Sequence, residues 1–421
     1  MQDLKKFGAI GGAISLALCW PLAVGHIGEK VIEDGIASLN DNEYMDSTIV
    51  EYDRGYLSSR VLTRYTITDP MLVDQLEQDG LPVAFDVVSD IKHGLMSLTS
   101  HSKIENLPEV PLSMTSVTQL NGNTSFDLML DSWNINTEQQ GAISIAPASI
   151  KGDLTVLGEL AYQIDVPSIQ VALNNGEKME LTNMKGEGEG KKEKGYWLGE
   201  QEVSVEKLVL TAPEPTESSE LRDVSYRFSS TKSAEDTRIN NHHLFSIDKL
   251  SSAGLSIENL IFDFSMNDID SEAFENVMGV YQNSPVMTQE DIAELLPHVD
   301  ALFARGFSLG LNQLSMVLDG GVFNSSWNID IAEGTQSITQ DPSTILPALS
   351  GQTEAFIGNK VVENNPSIRE NLDELIILEM VEQSDDGYHL NVTMEQGNVR
   401  FSNGNEVPLI SLLLPLFMGG M

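Results

Sequence analysis

The sequence predicts an α+β fold, mostly antiparallel β with a helical insertion, set behind a single N-terminal transmembrane helix. Three observations carry that prediction. About nineteen residues from Phe7 to Gly25 lack a charge, enough at 1.5 Å per residue for a helix to cross a hydrocarbon core of roughly 30 Å. From about Ser47 to Phe264, short runs of Val, Ile, Leu, Thr and Tyr alternate with polar residues and are cut by Gly, Asn, Asp and Pro, the pattern of strands wetted on one face. Helical spacing with capping residues sets in only around Asp270.

Taken in order, residues 1–6 form a cytoplasmic tail and 7–26 the anchor helix. Lys5 and Lys6 precede the apolar stretch, whereas Glu29, Glu33 and Asp34 follow it with only Lys30 to oppose them. That bias keeps the N-terminus in the cytoplasm and puts everything after His26 on the far side of the membrane. A cleaved signal peptide is the rival reading, because Ala23-Val24-Gly25 has the small-x-small form of a cleavage site. Against cleavage, Ile27, Val31, Ile32, Ile36 and Leu39 continue at near-helical spacing. Cys19, the single cysteine, permits no intramolecular disulfide and no thiolate metal site. Leu18 before it is too large for a lipoprotein processing box.

Residues 27–265 are expected to be a β-rich exported region. Phe126, Leu128 and Leu130 alternate with Asp127 and Met129; Val203, Val205 and Leu208 to Leu210 form a second example, and Leu255, Ile257, Leu260, Ile261 and Phe262 a third. A helical segment occupies 266–305. Asp270 and Ser271 precede one helix, and Thr288 with Asp291 makes a capping-box pair before Ile292, Leu295 and Leu296. Residues 306–421 return to β with short helices after Asp341-Pro342 and Asn365-Pro366, each pairing a cap residue with proline at the first helical position. Hairpins turn at Asp385-Asp386-Gly387, Gln396-Gly397 and Asn403-Gly404. Tyr388, Leu390, Val392 and Met394 share one strand face, with His389, Asn391 and Thr393 on the other. Val407 to Met418 is apolar but too short to span a membrane, and reads as a short helix closing the core.

Charge narrows the function. Sixty-three Asp and Glu face 24 Lys and Arg, a formal net charge of −39. A surface of that sign repels polyphosphate, so no nucleic-acid partner is expected.

Several stretches together resemble the YdgA-like family of bacterial inner-membrane-anchored proteins of unestablished role. Tyr52-Asp53-Arg54-Gly55-Tyr56-Leu57-Ser58-Ser59 is similar to the family's tyrosine-x-arginine-glycine motif ending in paired serines. Ile91-Lys92-His93-Gly94 matches a histidine-glycine motif, although Leu95 stands where the family has proline. Leu198-Gly199-Glu200 leading into Val203 to Leu210, and Ile247-Asp248-Lys249-Leu250 followed by Leu255 to Phe264, Ile269-Asp270 and Phe274, continue the likeness. The resemblance implies topology and compartment and carries no catalytic residue with it.

The densest functional-looking group is therefore Tyr52, Arg54, Gly55, Ser58 and Ser59 with His93 and Gly94. Arg54 beside Gly55 offers a guanidinium to an anionic headgroup or carboxylate, while a bulge and a structural ion pair are the plainer use of the same residues. Gly186 to Gly190 before Lys191-Lys192 lacks the spacing and hydroxyl of a P-loop and reads as a solvated hairpin tip between Leu181 and Trp197. Asp268, Asp270 and Glu272 alternate as Ca²⁺ ligands do, but lead into a helix without the turning glycine. His242 and His243 are adjacent on a strand and point to opposite sides. No catalytic set, metal site or cofactor is expected. The reading is a non-enzymatic envelope protein acting as a binding or scaffolding module, with lipid in an acyl-chain groove or other envelope proteins as partners. The alternative is a periplasmic hydrolase whose site is assembled from scattered acids and histidines; a third reading is an assembly subunit joined through Gly8, Gly11 and Gly12 of the anchor.

Overall fold

The structure is a computed structural model and describes residues 45–54, 58–78, 82–94, 97–119, 121–137, 141–193, 196–213, 218–235, 237–283, 287–335 and 337–412. The expected anchor at 7–26, Cys19, Gly55 and most of the apolar stretch after Val407 lie outside these residues. Among the described residues, no helix is long and apolar enough to cross a membrane. The chain divides into two compact units between Lys191 and Lys192, and the antiparallel β character with interspersed helices holds in both.

The first unit contains β1 (Met45–Arg54), β2 (Ser58–Ile67), α1 (Pro70–Gln78), β3 (Ala84–His93), β4 (Ser97–Ile104), β5 (Leu112–Gln119), β6 (Thr124–Leu130), β7 (Trp133–Thr137), β8 (Gly141–Ile145), β9 (Ala148–Leu154), β10 (Glu159–Leu173) and β11 (Lys178–Glu193). Each strand from β1 to β6 pairs antiparallel with the next. β6 then pairs with β9, and β9 with the first half of β10. The second half of β10 takes β8, which carries β7, and β11 lines the far side of β10. One face is apolar because alternate residues point the same way: Tyr65, Phe85, Val87, Ile104, Leu112, Met114 and Leu128 form its buried core, with Phe126 and Leu130 packed against them. Burial raises the Tyr65 phenol well above its ordinary range.

The glycine run is not a hairpin tip. Gly186, Gly188 and Gly190 lie inside β11, opposite Ile164, Tyr162 and Leu160. A Cβ on Gly188 would stand 2.8 Å from the Tyr162 ring, and one on Gly152 would stand 2.7 Å from the Phe126 ring. The glycines are flat seats for aromatic side chains of neighbouring strands, with Lys and Glu alternating on the other face.

In the second unit the order is β12 (Tyr196–Thr211), β13 (Ser218–Lys232), β14 (Arg238–Ser252), β15 (Leu255–Asp270), α2 (Ser271–Asn283), α3 (Gln289–Ala304), β16 (Phe307–Leu318), β17 (Gly321–Ile331), a 3₁₀ turn (Pro342–Ala348), β18 (Leu349–Gly358), α4 (Asn359–Asn364), α5 (Pro366–Ile377), β19 (Glu382–Gln383), β20 (Gly387–Glu395), β21 (Asn398–Phe401) and β22 (Glu406–Pro408). From β12 to β18 every strand pairs antiparallel with its successor. The meander continues through β20, β21 and β22. The expected capping box forms: Asp291 N–H donates to Thr288 Oγ1 at 3.2 Å, and Thr288 N–H to Asp291 Oδ2 at 2.7 Å. α2 begins as predicted, with Ala273 N–H on Asp270 Oδ1 at 3.0 Å. After Asp341 the helix is 3₁₀ rather than α, with Pro347 inside it removing a backbone donor.

Candidate functional site

Two strand pairings bring the predicted motif residues of the first unit together. Arg54 faces Ser59, Tyr52 faces Val61, Ser58 faces Lys92 and Ser59 faces Ile91. The Ser59 hydroxyl and His93 Nε2 are 3.0 Å apart, although 34 positions separate them in the chain. Gly94 N–H donates to the Ser97 carbonyl at 2.9 Å, and a Cβ at Gly94 would stand 2.6 Å from that oxygen, so the β3–β4 turn demands glycine. Gly55 lies outside the described residues.

A hydroxyl beside an imidazole is the beginning of a nucleophile and base. Here Ser59 is 5% exposed, on the face of the sheet that carries the apolar core. It belongs instead to a band of hydroxyls on the inner face, where Ser102 lies 2.8 Å from Ser89 and 3.4 Å from Ser100. Thr118 and Thr124 are 3.0 Å apart farther along. These pairs satisfy one another beside the apolar core, as buried polar groups must. On the outer face Arg64 clamps Asp86 through two contacts of 2.7 and 2.8 Å, and that hydrogen bonding holds the Asp86 carboxyl below its usual range.

The second unit carries a different surface. Its registers place side chains in rows across the strands on one face: Gln201, Phe228, His243, Phe264, Leu311, Trp327, Thr353 and Val392 in one, Val203, Tyr226, Phe245, Phe262, Leu314, Ser325, Ala355 and Leu390 in the next. The aromatic rings touch in sequence. His243 lies 5.0 Å from Phe228 and 6.2 Å from Phe264, and Phe264 lies 6.1 Å from both Phe262 and Trp327. Phe262 is 38% exposed and Tyr226 39%. At one end Tyr196, Ile239 and Ile269 are buried with Phe274 of α2 and Leu302 of α3. At the other, Val362, Leu372 and Val381 are buried with Ile368 and Leu375 of α5. Leu390, at the end of the second row, packs against the latter cluster; the aromatic residues of the two rows belong to neither.

The reverse face is polar. Arg227 binds Glu202 at 2.8 Å, Ser225 meets Ser246 at 2.8 Å, and Asp263 accepts from His242 and Asn312 at 2.8 and 2.6 Å. His242 and His243 thus point to opposite faces. His243 Nδ1 meets the Tyr226 hydroxyl at 2.8 Å, and burial, with His242 nearby, lowers its pKa.

A family model described as a bacterial protein of unknown function, DUF945, matches residues 4–409. The chain belongs to the DUF945 family. No curated protein and no solved structure matches it. For a DUF945 chain, then, chemistry has to be argued from geometry. Strand alternation alone signals half-apolar sheets; the aromatic rows emerge only when registers align strands far apart in sequence.

Proposed function

We propose that this protein is a non-enzymatic binding module of the bacterial envelope, anchored in the inner membrane and facing the periplasm, whose second unit holds acyl chains on its aromatic face. The YdgA-like resemblance and the apolar Phe7–Gly25 stretch support the anchor and the compartment. The observation that carries the binding reading is the aromatic face itself. Its rings are half-buried around the buried Leu311, with Tyr226 and Phe262 more than a third exposed, and an apolar patch left open in this way marks a binding site for an apolar partner.

Dimensions support an acyl chain as occupant. From β13 to β18 the rows cross five strand spacings, about 24 Å at ~4.8 Å each. One leaflet of a hydrocarbon core is roughly 15 Å deep, so an extended chain fits along one row. The polar reverse face and the net charge of −39 confine apolar contact to the other side of the sheet.

The test is mass spectrometry of organic extracts from the full-length protein purified from membranes. Acyl lipid at a stoichiometric level is expected. Protein free of acyl lipid, and unable to take up a labelled fatty acid, would remove the reading. A periplasm-active reporter fused to the C-terminus should be active; a cytosolic signal would overturn the compartment.

A further inference from the structure

Beside the aromatic rows lies a row of different character: Gly199, Ser230, Asn241, Met266, Leu309 and Ile329. Ser230 of β13 and Asn241 of β14 are direct cross-strand partners. Both are more than nine-tenths buried, at 2% and 6% exposure. Neither the Ser230 hydroxyl nor Asn241 Oδ1 has a hydrogen-bond partner among the described residues. Leaving such a group unpaired is costly, and two side by side at a place where the closed end of the sheet meets its open aromatic part require an explanation. The opposite position on β12 is Gly199, which adds no side chain to the row.

The chemistry of the two oxygens selects what would satisfy them. Asn241 Oδ1 only accepts, so its partner must donate; the Ser230 hydroxyl both donates and accepts. One hydroxyl group answers both, donating to Asn241 and accepting from Ser230. A phosphodiester has no proton to donate and would meet the Asn241 carbonyl oxygen with like partial charge. Nor is a cation held in reserve for it: Lys232, two positions along from Ser230, is bound to Glu193 at 2.8 Å and stands 6.0 Å over the Tyr196 ring.

We propose that Ser230 and Asn241 form the polar anchor of the acyl-binding face and receive the free hydroxyl of an uncharged acylglycerol, whose chains lie along the aromatic rows. This inference rests on the acyl-binding reading and specifies its substrate class.

The experiment compares 1,2-dioctanoylglycerol with its 3-O-acetyl derivative, which keeps the chains and loses the hydroxyl. Binding is measured by displacement of a fluorescent fatty acid from full-length protein in amphipol. The wild type should prefer the free alcohol by about tenfold or more, the range set by leaving buried polar groups unpaired. Ser230→Ala combined with Asn241→Leu should erase the preference while retaining the acetylated ligand. Equal binding of both ligands by the wild type, or a preference surviving in the double variant, would overturn the anchor and leave the acyl-binding reading standing. Binding of neither ligand, with no fatty acid to displace, would remove both. Ser230→Ala alone, which keeps the strand pair intact, should halve the preference or more; an unchanged ratio there also counts against the anchor.

Discussion

Replacing Phe262 by Ala tests the aromatic face where its energetics can be worked out. A phenylalanine presents roughly 200 Å² for burial, and with 38% of Phe262 exposed about 75 Å² remains for an acyl chain to cover. At about 25 cal/mol per Å² that is ~1.9 kcal/mol, or about 25-fold in affinity. Equilibrium titration with a fluorescently labelled fatty acid, on full-length protein in amphipol, should therefore show Phe262→Ala binding about 25-fold more weakly. The buried remainder of the ring contributes to folding, at most about 3 kcal/mol, so thermal unfolding must be followed in parallel. Ile261→Ala is the matched control: it lies on the same strand with its side chain on the opposite face, paired with Ser246 and Ser315. It should lose stability and keep affinity. Unchanged binding in Phe262→Ala, or an equal loss in Ile261→Ala, would refute the assignment of chains to the aromatic face.

Other predictions concern the packing and the titrating groups of the two units. Gly152→Ala would force a Cβ to 2.5 Å from the Ala161 carbonyl and 2.7 Å from the Phe126 ring, and should destabilise the chain by about 2 kcal/mol in denaturant titration. His243, packed among Phe228, Phe264 and Tyr226, has a lowered pKa in the fold; its contribution is present above the unfolded value of about 6.5 and is lost as pH falls below it. His243→Phe should flatten the decline in unfolding midpoint between neutral and mildly acidic buffers. Asp86, held below its ordinary pKa by Arg64, contributes stability above an unfolded value of about 3.9 that disappears as pH falls further. Asp86→Asn should be less stable than wild type at neutral pH, and the two should converge in strong acid.

Local signals in the chain were readable wherever the physics is local. The Thr288–Asp291 capping box, the Asp270 cap and the turns at Gln396-Gly397 and Asn403-Gly404 are satisfied within a few residues, and all appear as expected. α1 carries the same signature, with Asp69 Oδ1 accepting from Met71 and Leu72 at 2.8 and 3.0 Å before Pro70 opens the helix. The cap is legible in the chain, but a short helix between strands offers little periodicity to mark it. Gly186 to Gly190 misled for a different reason: glycines with lysines suggest a turn, and only the partner strand shows that Tyr162 sits on them. The meeting of Ser59 with His93 and the aromatic rows depend on register, which composition cannot supply.

A sheet with one apolar face normally recruits a second layer, so the open rows of the second unit need a reason to persist. Strands of fifteen or sixteen residues from β12 to β15 give each of β13, β14 and β15 a hydrogen-bonded neighbour on both sides. Backbone ladders and the polar reverse face therefore hold the sheet without help from a covering layer. Helices α2, α3 and α5 reach the clusters at the two ends, where Ile239 and Val362 are fully enclosed. Folding can thus leave the middle rows wet, because the ends and the ladders carry the stability. That separation predicts opposite consequences for the same truncation: an aromatic row residue cut back should mainly cost binding, whereas Ile239→Ala, at an enclosed end with 0% exposure, should cost about 2–5 kcal/mol of stability and leave the affinity of the remaining folded protein unchanged. If both truncations lowered affinity in proportion to stability, the rows would be part of the core and not a surface kept for a ligand.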